Sequence, residues 1–466
     1  MKTNPAETLP FPVGALITPT LVARAGAFAQ APLRADMGEL ARQCVLDWAG
    51  VALAGSREPL ARMLLAQAQE DGGTPTASLV GNTLRVSARQ AALLNGAAGH
   101  ALDYDDANVA AQGHVTAAVL PAALAVAQAR GAGGGALLRA FVAGYEMAGC
   151  VGQYLGRAHY ERGFHGTATV GSFGAAFASA ALMGLDSEAS AVALGIAGTQ
   201  AGGMKAQFGT MCKPLHAGKA AENGVTGAQL AARGFTGRAD LLEAPQGFGA
   251  ATSRGVDAQA ALAAPPGGGH LHGNLFKYHA ACYGTHATID AVRALCAAHG
   301  LTPNDIEGIV LAVEPGAQRM CDILQPATGL QAKFSLRLNA ALAVFGEDTA
   351  APAIYSDATA RRADLAALRD RVQAHFMPED WPRMAAAVRI TTRDGRVLEA
   401  YHDSSLPDAN LVRQRERLVT KFMALAVPVV GTARAAEIER AVGALEHMED
   451  IGALMSMLSQ PEGTTS

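Results

Sequence analysis

Between Asp36 and Ala68 the chain reads MGELARQCVLDWAGVALAGSREPLARMLLAQA, with apolar residues returning every three or four positions. The pattern breaks at Gly55-Ser56-Arg57, where Ser56 is a candidate N-cap, so the segment predicts two consecutive helices. Ala-rich stretches with the same spacing follow at 87–101, 117–130, 135–152, 171–183, 187–201 and 217–233, joined by short Gly-containing links. This part of the chain therefore predicts an all-helical bundle. Just past Ala261 the texture changes, because AAPPGGGHLHGN cannot continue a helix. Beyond it, IEGIVLAVEP and AAAVRITTRDGRVLEAYH carry β-branched residues, the second with an Asp-Gly turn between two strand-like runs. Helices are expected to alternate with them at 288–299 and 360–375, which makes 271–403 a smaller α+β domain. LVRQRERLVTKFMALA and ARAAEIERAVGALEHM then return to helical spacing, with Pro428 and Gly431 between them, and are expected to dock on the first bundle. The predicted fold is mainly α: an all-helical domain from 1–270 plus 404–466, and an α+β domain from 271–403.

Composition supports this reading and removes several function classes. The chain has 466 residues, 50% of them hydrophobic but only 5% aromatic, which suits closely packed helices with small side chains. A formal charge of -4, without long basic runs, lacks the electrostatic footprint of a nucleic-acid binder. The six cysteines are scattered without a C-x-x-C pair, so neither a zinc site nor a disulfide framework is expected, and the thiols are read as reduced. The opening MKTNPAETLPFPVGALITPTLVARAG is a poor export signal, so a cytoplasmic protein is expected. The uncharged run from Phe164 to Leu185 is built of Gly, Ala, Ser and Thr, which suits a buried helix better than a membrane span.

Four segments carry candidate chemistry. In GHALDYDDANVAAQGHVTAAVL, His100, Asp103, Asp105, Asp106 and His114 crowd into an otherwise apolar bundle, where charge must be paired or used. Three readings are open: a metal site, for which the partner cluster is missing; Asp103 orienting a His or Lys with His114 as a proton carrier; or helix caps and a surface loop. In GRAHYERGFHGTATVGSFG, His165 precedes a Gly/Ser/Thr-rich helix start whose free N–H groups favour an anion; the alternative is a satisfied loop residue. In FGTMCKPLHAGKAAENG, Pro214 is expected to hold Lys213 extended just before a helix, with His216 in the first turn. An ammonium there repels the helix dipole unless a bound anion lies between them, and its neighbours do not resemble an exposed face. In LFKYHAACYGTHATIDAVRAL, Lys277, His279 and His286 again lie at the start of a helix, either as binding groups or as an ordinary cap region. Several such ends converging would make a pocket for two or three carboxylates.

In order along nearly the whole chain, GHALDYDD, HVTAAVLPAALA, GFHGTATVGSFGAAFA, FGTMCKPLHAGKAAENGV, LLEAPQGFG and KYHAACYGTHATIDA resemble the MmgE/PrpD family. That family includes dehydratases, decarboxylases and epimerases acting on 2-methylcitrate, cis-aconitate and iminodisuccinate. The resemblance implies that the α+β domain is an inserted lid, that the protein is a homodimer, and that the site lies in the cleft between domains. It also implies that Asp103, His114, His165, Lys213 and Lys277 occupy the positions of family active-site residues. Two positions depart from the pattern: Ala107 stands where Thr is common, and Cys282 where the decarboxylases have an active-site His.

The resulting expectation is a lyase-type acid–base enzyme, with a hydro-lyase favoured, acting on a small di- or tricarboxylate without cofactor or metal. Lys213, Lys277 and His165 would hold carboxylates, Cys282 and His216 would line the substrate site, His114 would carry the proton and Asp103 would orient it. Epimerisation and decarboxylation share the same carbanion-like intermediate and are the alternatives. The rival from another class is a helical scaffold or ligand sensor that has kept the fold.

Overall fold

The computed structural model describes residues 17–459, so the first sixteen positions of the opening stretch read as unsuited to export lie outside the described residues. Helices form where the apolar periodicity places them, at Ala35–Gly55, Pro59–Asp71, Ala88–His100, Val115–Ala129, Gly134–Glu161, Gly166–Leu182, Ser187–Gly198 and Cys212–Ala231. The fold is mainly α with a small α+β part. Ser87 starts its helix with a capping box, its hydroxyl accepting from the Gln90 N–H while the Gln90 side chain reaches back to the Ser87 N–H. Ser56 does not cap the helix that follows it. Its hydroxyl donates to the Leu53 carbonyl at 2.7 Å and closes the preceding helix, while Glu58 and Pro59 open the next. The uncharged run after Phe164 becomes the Gly166–Leu182 helix, buried through Ala180 by its neighbours. Among the described residues, no helix is long and apolar enough to cross a membrane.

A four-stranded sheet lies in the later part of the chain, in the order Val372–Phe376, Ile306–Val313, Ala385–Thr392, Val397–Asp403. The first pair is parallel and the others antiparallel, and the Asp394-Gly395 turn joins the last two strands, with Gly395 at φ +85. The helix expected over 360–375 is shorter than its pattern suggests. It forms over Ala363–Arg369, and Val372–Phe376 leaves it to pair with Ile309–Val313, because an open sheet edge offers this segment a hydrogen-bond partner. Ile289, Val292, Leu311, Leu365 and Val388 form the core here, whereas Leu271 and Phe276 pack with the helices. The two cores meet through Val51, Tyr104 and Leu425.

The chain then returns as Leu411–Val430, which packs along Ala35–Gly55. Pro428 does not divide it as the sequence suggests: burial of Leu418, Phe422 and Leu425 holds the helix together to Val430. On this helix Lys421 forms a 2.5 Å ion pair with Asp47, both side chains 1% exposed. Its Nζ also donates to the Tyr104 carbonyl at 2.6 Å, tying the late helix to the loop that carries the acidic cluster.

Candidate active site

The acidic loop runs from the end of Ala88–His100 to the short strand Ala107–Asn108. That strand pairs antiparallel with Asn274–Leu275, Ala107 opposite Leu275, and so brings Lys277 against the loop. Asp103 has φ +50, a left-handed conformation that a non-glycine residue adopts only when its surroundings impose it. Here they do. Asp103 Oδ2 meets Lys213 Nζ at 2.6 Å and Oδ1 meets Lys277 Nζ at 3.0 Å, while the Lys277 ammonium also donates to the Asp103 carbonyl at 2.6 Å. Burial alone would raise this carboxyl, but Lys277, Lys213 and the nearby histidines outweigh it and hold Asp103 well below the usual carboxylate range. The Asp103 side chain nonetheless keeps 53% of its surface open, so a ligand can reach it.

Lys213 lies inside the first turn of Cys212–Ala231 rather than extended ahead of it, and Pro214 is tolerated there because first-turn N–H groups have no intrahelical acceptor. The expected juxtaposition of ammonium and helix start is present. Asp103, not a free anion, supplies the compensating charge in this state.

His114 occupies the residue before Val115–Ala129, and His165 the residue before Gly166–Leu182. The two helix starts nest against each other. A Cβ on Gly113 would lie 2.4 Å from the Thr167 nitrogen, and one on Gly166 would lie 2.4 Å from the Gln112 carbonyl oxygen, so only glycine permits this approach. The His114 N–H donates to Thr167 Oγ1 at 2.9 Å and fixes the pair.

Imidazole His114 stands between two carboxylates. Its Nε2 lies 3.6 Å from Asp103 Oδ1, and its Nδ1 lies 3.0 Å from Asp105 Oδ2, at ion-pair distance but off the hydrogen-bond direction. Asp105 Oδ1 also meets His100 Nδ1 at 2.8 Å. The sequence reading gave the orienting role to Asp103; the geometry gives Asp105 the ring's inner nitrogen and leaves Asp103 to the lysines. His100 and Asp105 are each 1% exposed, and burial pushes the His100 imidazole down to about 4 despite Asp105 beside it. Asp106 accepts from Thr116 Oγ1 and Asn274 Nδ2 at 2.7 and 2.8 Å, an internal strut rather than a cleft group.

His165 is 2% exposed, with its Nδ1 3.0 Å from His216 Nδ1. Burial, reinforced by His100, His114 and Lys213, pushes its pKa far down, so the ring is neutral. Any contact it makes with a carboxylate is a hydrogen bond, not the charge pairing its place at a helix start suggested. His279 and His286 are absorbed elsewhere: His279 contacts Thr349 Oγ1 and Asp290, and His286 Nε2 contacts the Ala281 carbonyl.

Cys282 lines a cavity of about 220 Å³ together with Asp103, Lys277, Tyr283, Met320, Lys333 and Phe334. Its thiol accepts a hydrogen bond from Cys321 Sγ at 3.1 Å; with that bond as the main cause, its pKa falls to about 7. Donor atoms of His100, Asp103, Asp105 and His114 lie within 4.8 Å of one another, a separation that would suit a cation. Two ammonium groups already occupy the Asp103 oxygens, however, so a metal would have to displace both.

This cluster lies in a chain whose residues 26–261 match the MmgE/PrpD N-terminal domain and whose residues 279–447 match the MmgE/PrpD C-terminal domain. The chain belongs to the MmgE/PrpD family. Among curated members of that family, it is 28% identical to a human cis-aconitate decarboxylase over 81% of both chains. It is 25% identical to a cis-aconitate decarboxylase of Aspergillus terreus over 91% of this chain and 92% of the relative. A cis-aconitate decarboxylase-like protein of Aspergillus oryzae is 35% identical over 44% of each chain. His100 and Asp105 beside His114, and Lys333 in the cavity wall, are groups that sequence reasoning did not single out by role. The acidic crowding marked the first two, whereas nothing in the local text marked Lys333.

Proposed function

We propose that this MmgE/PrpD protein is a lyase that removes a proton from carbon beside a carboxylate of a small di- or tricarboxylate of the aconitate type. One observation carries the reading: a single reachable carboxylate, Asp103, is shared by Lys213 and Lys277 and stands 3.6 Å from His114 Nε2. A substrate carboxylate entering this cleft finds two ammonium groups for its charge, and the adjacent carbon then lies within reach of His114.

The Asp105 carboxylate, 3.0 Å from Nδ1, favours the His114 tautomer that carries its proton there and leaves Nε2 free to act as the base. The two lysines stabilise the negative charge that builds on the carboxylate as the C–H bond breaks. In a hydroxy acid the electron pair forms the carbon–carbon double bond and hydroxide leaves with a proton, giving an unsaturated acid and water. This hydro-lyase outcome is our first reading, because a decarboxylase must deliver a proton to carbon and Cys282 replaces the imidazole expected there. Decarboxylation is the second, favoured by the likeness to the cis-aconitate decarboxylases; it would break the carbon–carboxylate bond, release carbon dioxide and protonate the carbon left behind.

Purified protein incubated in deuterated water with 2-methylcitrate, citrate, cis-aconitate and iminodisuccinate, followed by proton resonance, separates these outcomes. Loss of water, loss of carbon dioxide and exchange without either identify hydro-lyase, decarboxylase and epimerase. Inert behaviour with all four acids would overturn the proposal and favour the scaffold.

A further inference from the structure

The cavity of about 220 Å³ beside Asp103 has one polar group left without a partner. The Tyr104 hydroxyl donates to the Ala350 carbonyl at 3.2 Å and the Tyr283 hydroxyl to the Ser404 carbonyl at 2.6 Å. Lys277 is held by Asp103. Cys282 is engaged by Cys321. Leu102, Ala280, Ala281, Phe334 and Pro352 complete much of the wall with apolar surface. Lys333 also lines this cavity, and among the described residues its ammonium has no hydrogen-bond acceptor and no carboxylate within ion-pair distance. Glu58 and Asp103 act on it only from farther away, and burial lowers its pKa. A half-buried ammonium without a partner is costly unless an anion completes it.

Local structure holds this group in place. Lys333 follows the short helical turn Gly329–Ala332, which Thr328 caps by accepting from the Gln331 N–H. The Lys333 carbonyl accepts from the Cys282 N–H at 3.0 Å, so its backbone is tied to the Cys282 segment of the cavity wall. Lys213 is not among the cavity-lining residues, whereas Lys277 and Lys333 are. The cleft thus has one cationic pole, where Lys213 and Lys277 share Asp103, and a second, Lys333, whose charge is uncompensated.

We infer that Lys333 is a second carboxylate-binding group of the cleft and selects substrates that carry a carboxylate beyond the one held by Lys213 and Lys277. This deepens the lyase reading and rests on it for the identity of the pole occupied by the reacting carboxylate. The preferred class is a tricarboxylate, or a dicarboxylate long enough to reach both poles. An acid with a single carboxylate satisfies only one.

Calorimetric titration of the full chain with propane-1,2,3-tricarboxylate and with butanoate, which carries a single carboxylate, tests this without turnover. The wild type is expected to bind the tricarboxylate at least about tenfold more tightly. Lys333→Met should erase most of that difference, and Lys333→Arg, which keeps the charge, should retain most of it. If Lys333→Met folds normally and keeps the full preference, or if the wild type has none, the inference fails. If no polycarboxylate is turned over but the Lys333-dependent preference is present, the binding inference stands and the lyase reading falls.

Discussion

Asp105 holds two imidazoles at once, with Oδ1 2.8 Å from His100 Nδ1 and Oδ2 3.0 Å from His114 Nδ1. Both histidine contacts lie inside the bundle, while His114 Nε2 points toward Asp103 and the cleft. On the proposed mechanism this divides the work between the two carboxylates of one loop: Asp103 balances Lys213 and Lys277, and Asp105 sets the tautomer of His114. Asp105→Asn keeps shape and removes charge, so it should lower kcat by about 10²-fold or more while changing KM little. Steady-state kinetics on a variant with unaltered circular dichroism checks this. Wild-type turnover in Asp105→Asn would show that His114 needs no such partner.

The base and the binding groups should separate kinetically. His114→Ala removes proton transfer and is expected to lower kcat by about 10²-fold or more with little effect on substrate affinity. Lys213→Ala should raise KM as well as lower kcat, because the ammonium meets the carboxylate in both ground and transition states. Unchanged turnover in His114→Ala would remove it as the proton carrier.

The placement of much of this candidate site was legible in the sequence because its residues fall at helix starts marked by Gly or Pro: His114 after Gly113, His165 before Gly166, Lys213 before Pro214. The roles within the acidic loop were not. Asp103 and Asp105 differ in surroundings because one backbone φ is positive and the other residue faces inward, and neither property is written in DYDD. The helices were legible for the usual reason of period. The strand Val372–Phe376 was hidden because its pattern continues that of the preceding helix, and only pairing with Ile306–Val313 decides it. Lys333 was invisible because its distinction is the absence of a partner, a property of three-dimensional surroundings.

Acid should destabilise the fold through its buried imidazoles. Burial pushes His100, His159 and His270 from the ordinary 6.5 down to about 4. Between those values the unfolded chain binds more protons than the folded one, so the stability these groups contribute is full above about 6.5 and is lost as pH falls toward 4. The thermal midpoint should therefore drop across that interval. His159 accepts no role in the cleft, contacting the Thr252 carbonyl and Thr169 Oγ1 instead, so His159→Gln should make the drop shallower. A midpoint that is flat from pH 6.5 to 4 in the wild type would contradict the assignment of neutral buried rings.

The thiol pair offers a test of the cleft that needs no substrate chemistry. Cys282 receives a hydrogen bond from buried Cys321, which, with the Gly284 N–H and Lys277, brings its pKa to about 7, while Cys321 is driven up by the same contact. Thiolate is the nucleophile, so alkylation by iodoacetamide should mark Cys282 first, with a rate that climbs at lower pH than that of an ordinary thiol. Cys321→Ala removes the donor and should move that climb to higher pH. Because Cys282 shares its cavity with Asp103, Lys277 and Lys333, a bound polycarboxylate should slow the labelling. Peptide mapping after timed alkylation reads both effects, and labelling of Cys282 that ignores polycarboxylate at saturating concentration would mean that the cavity is not the place where the acid binds.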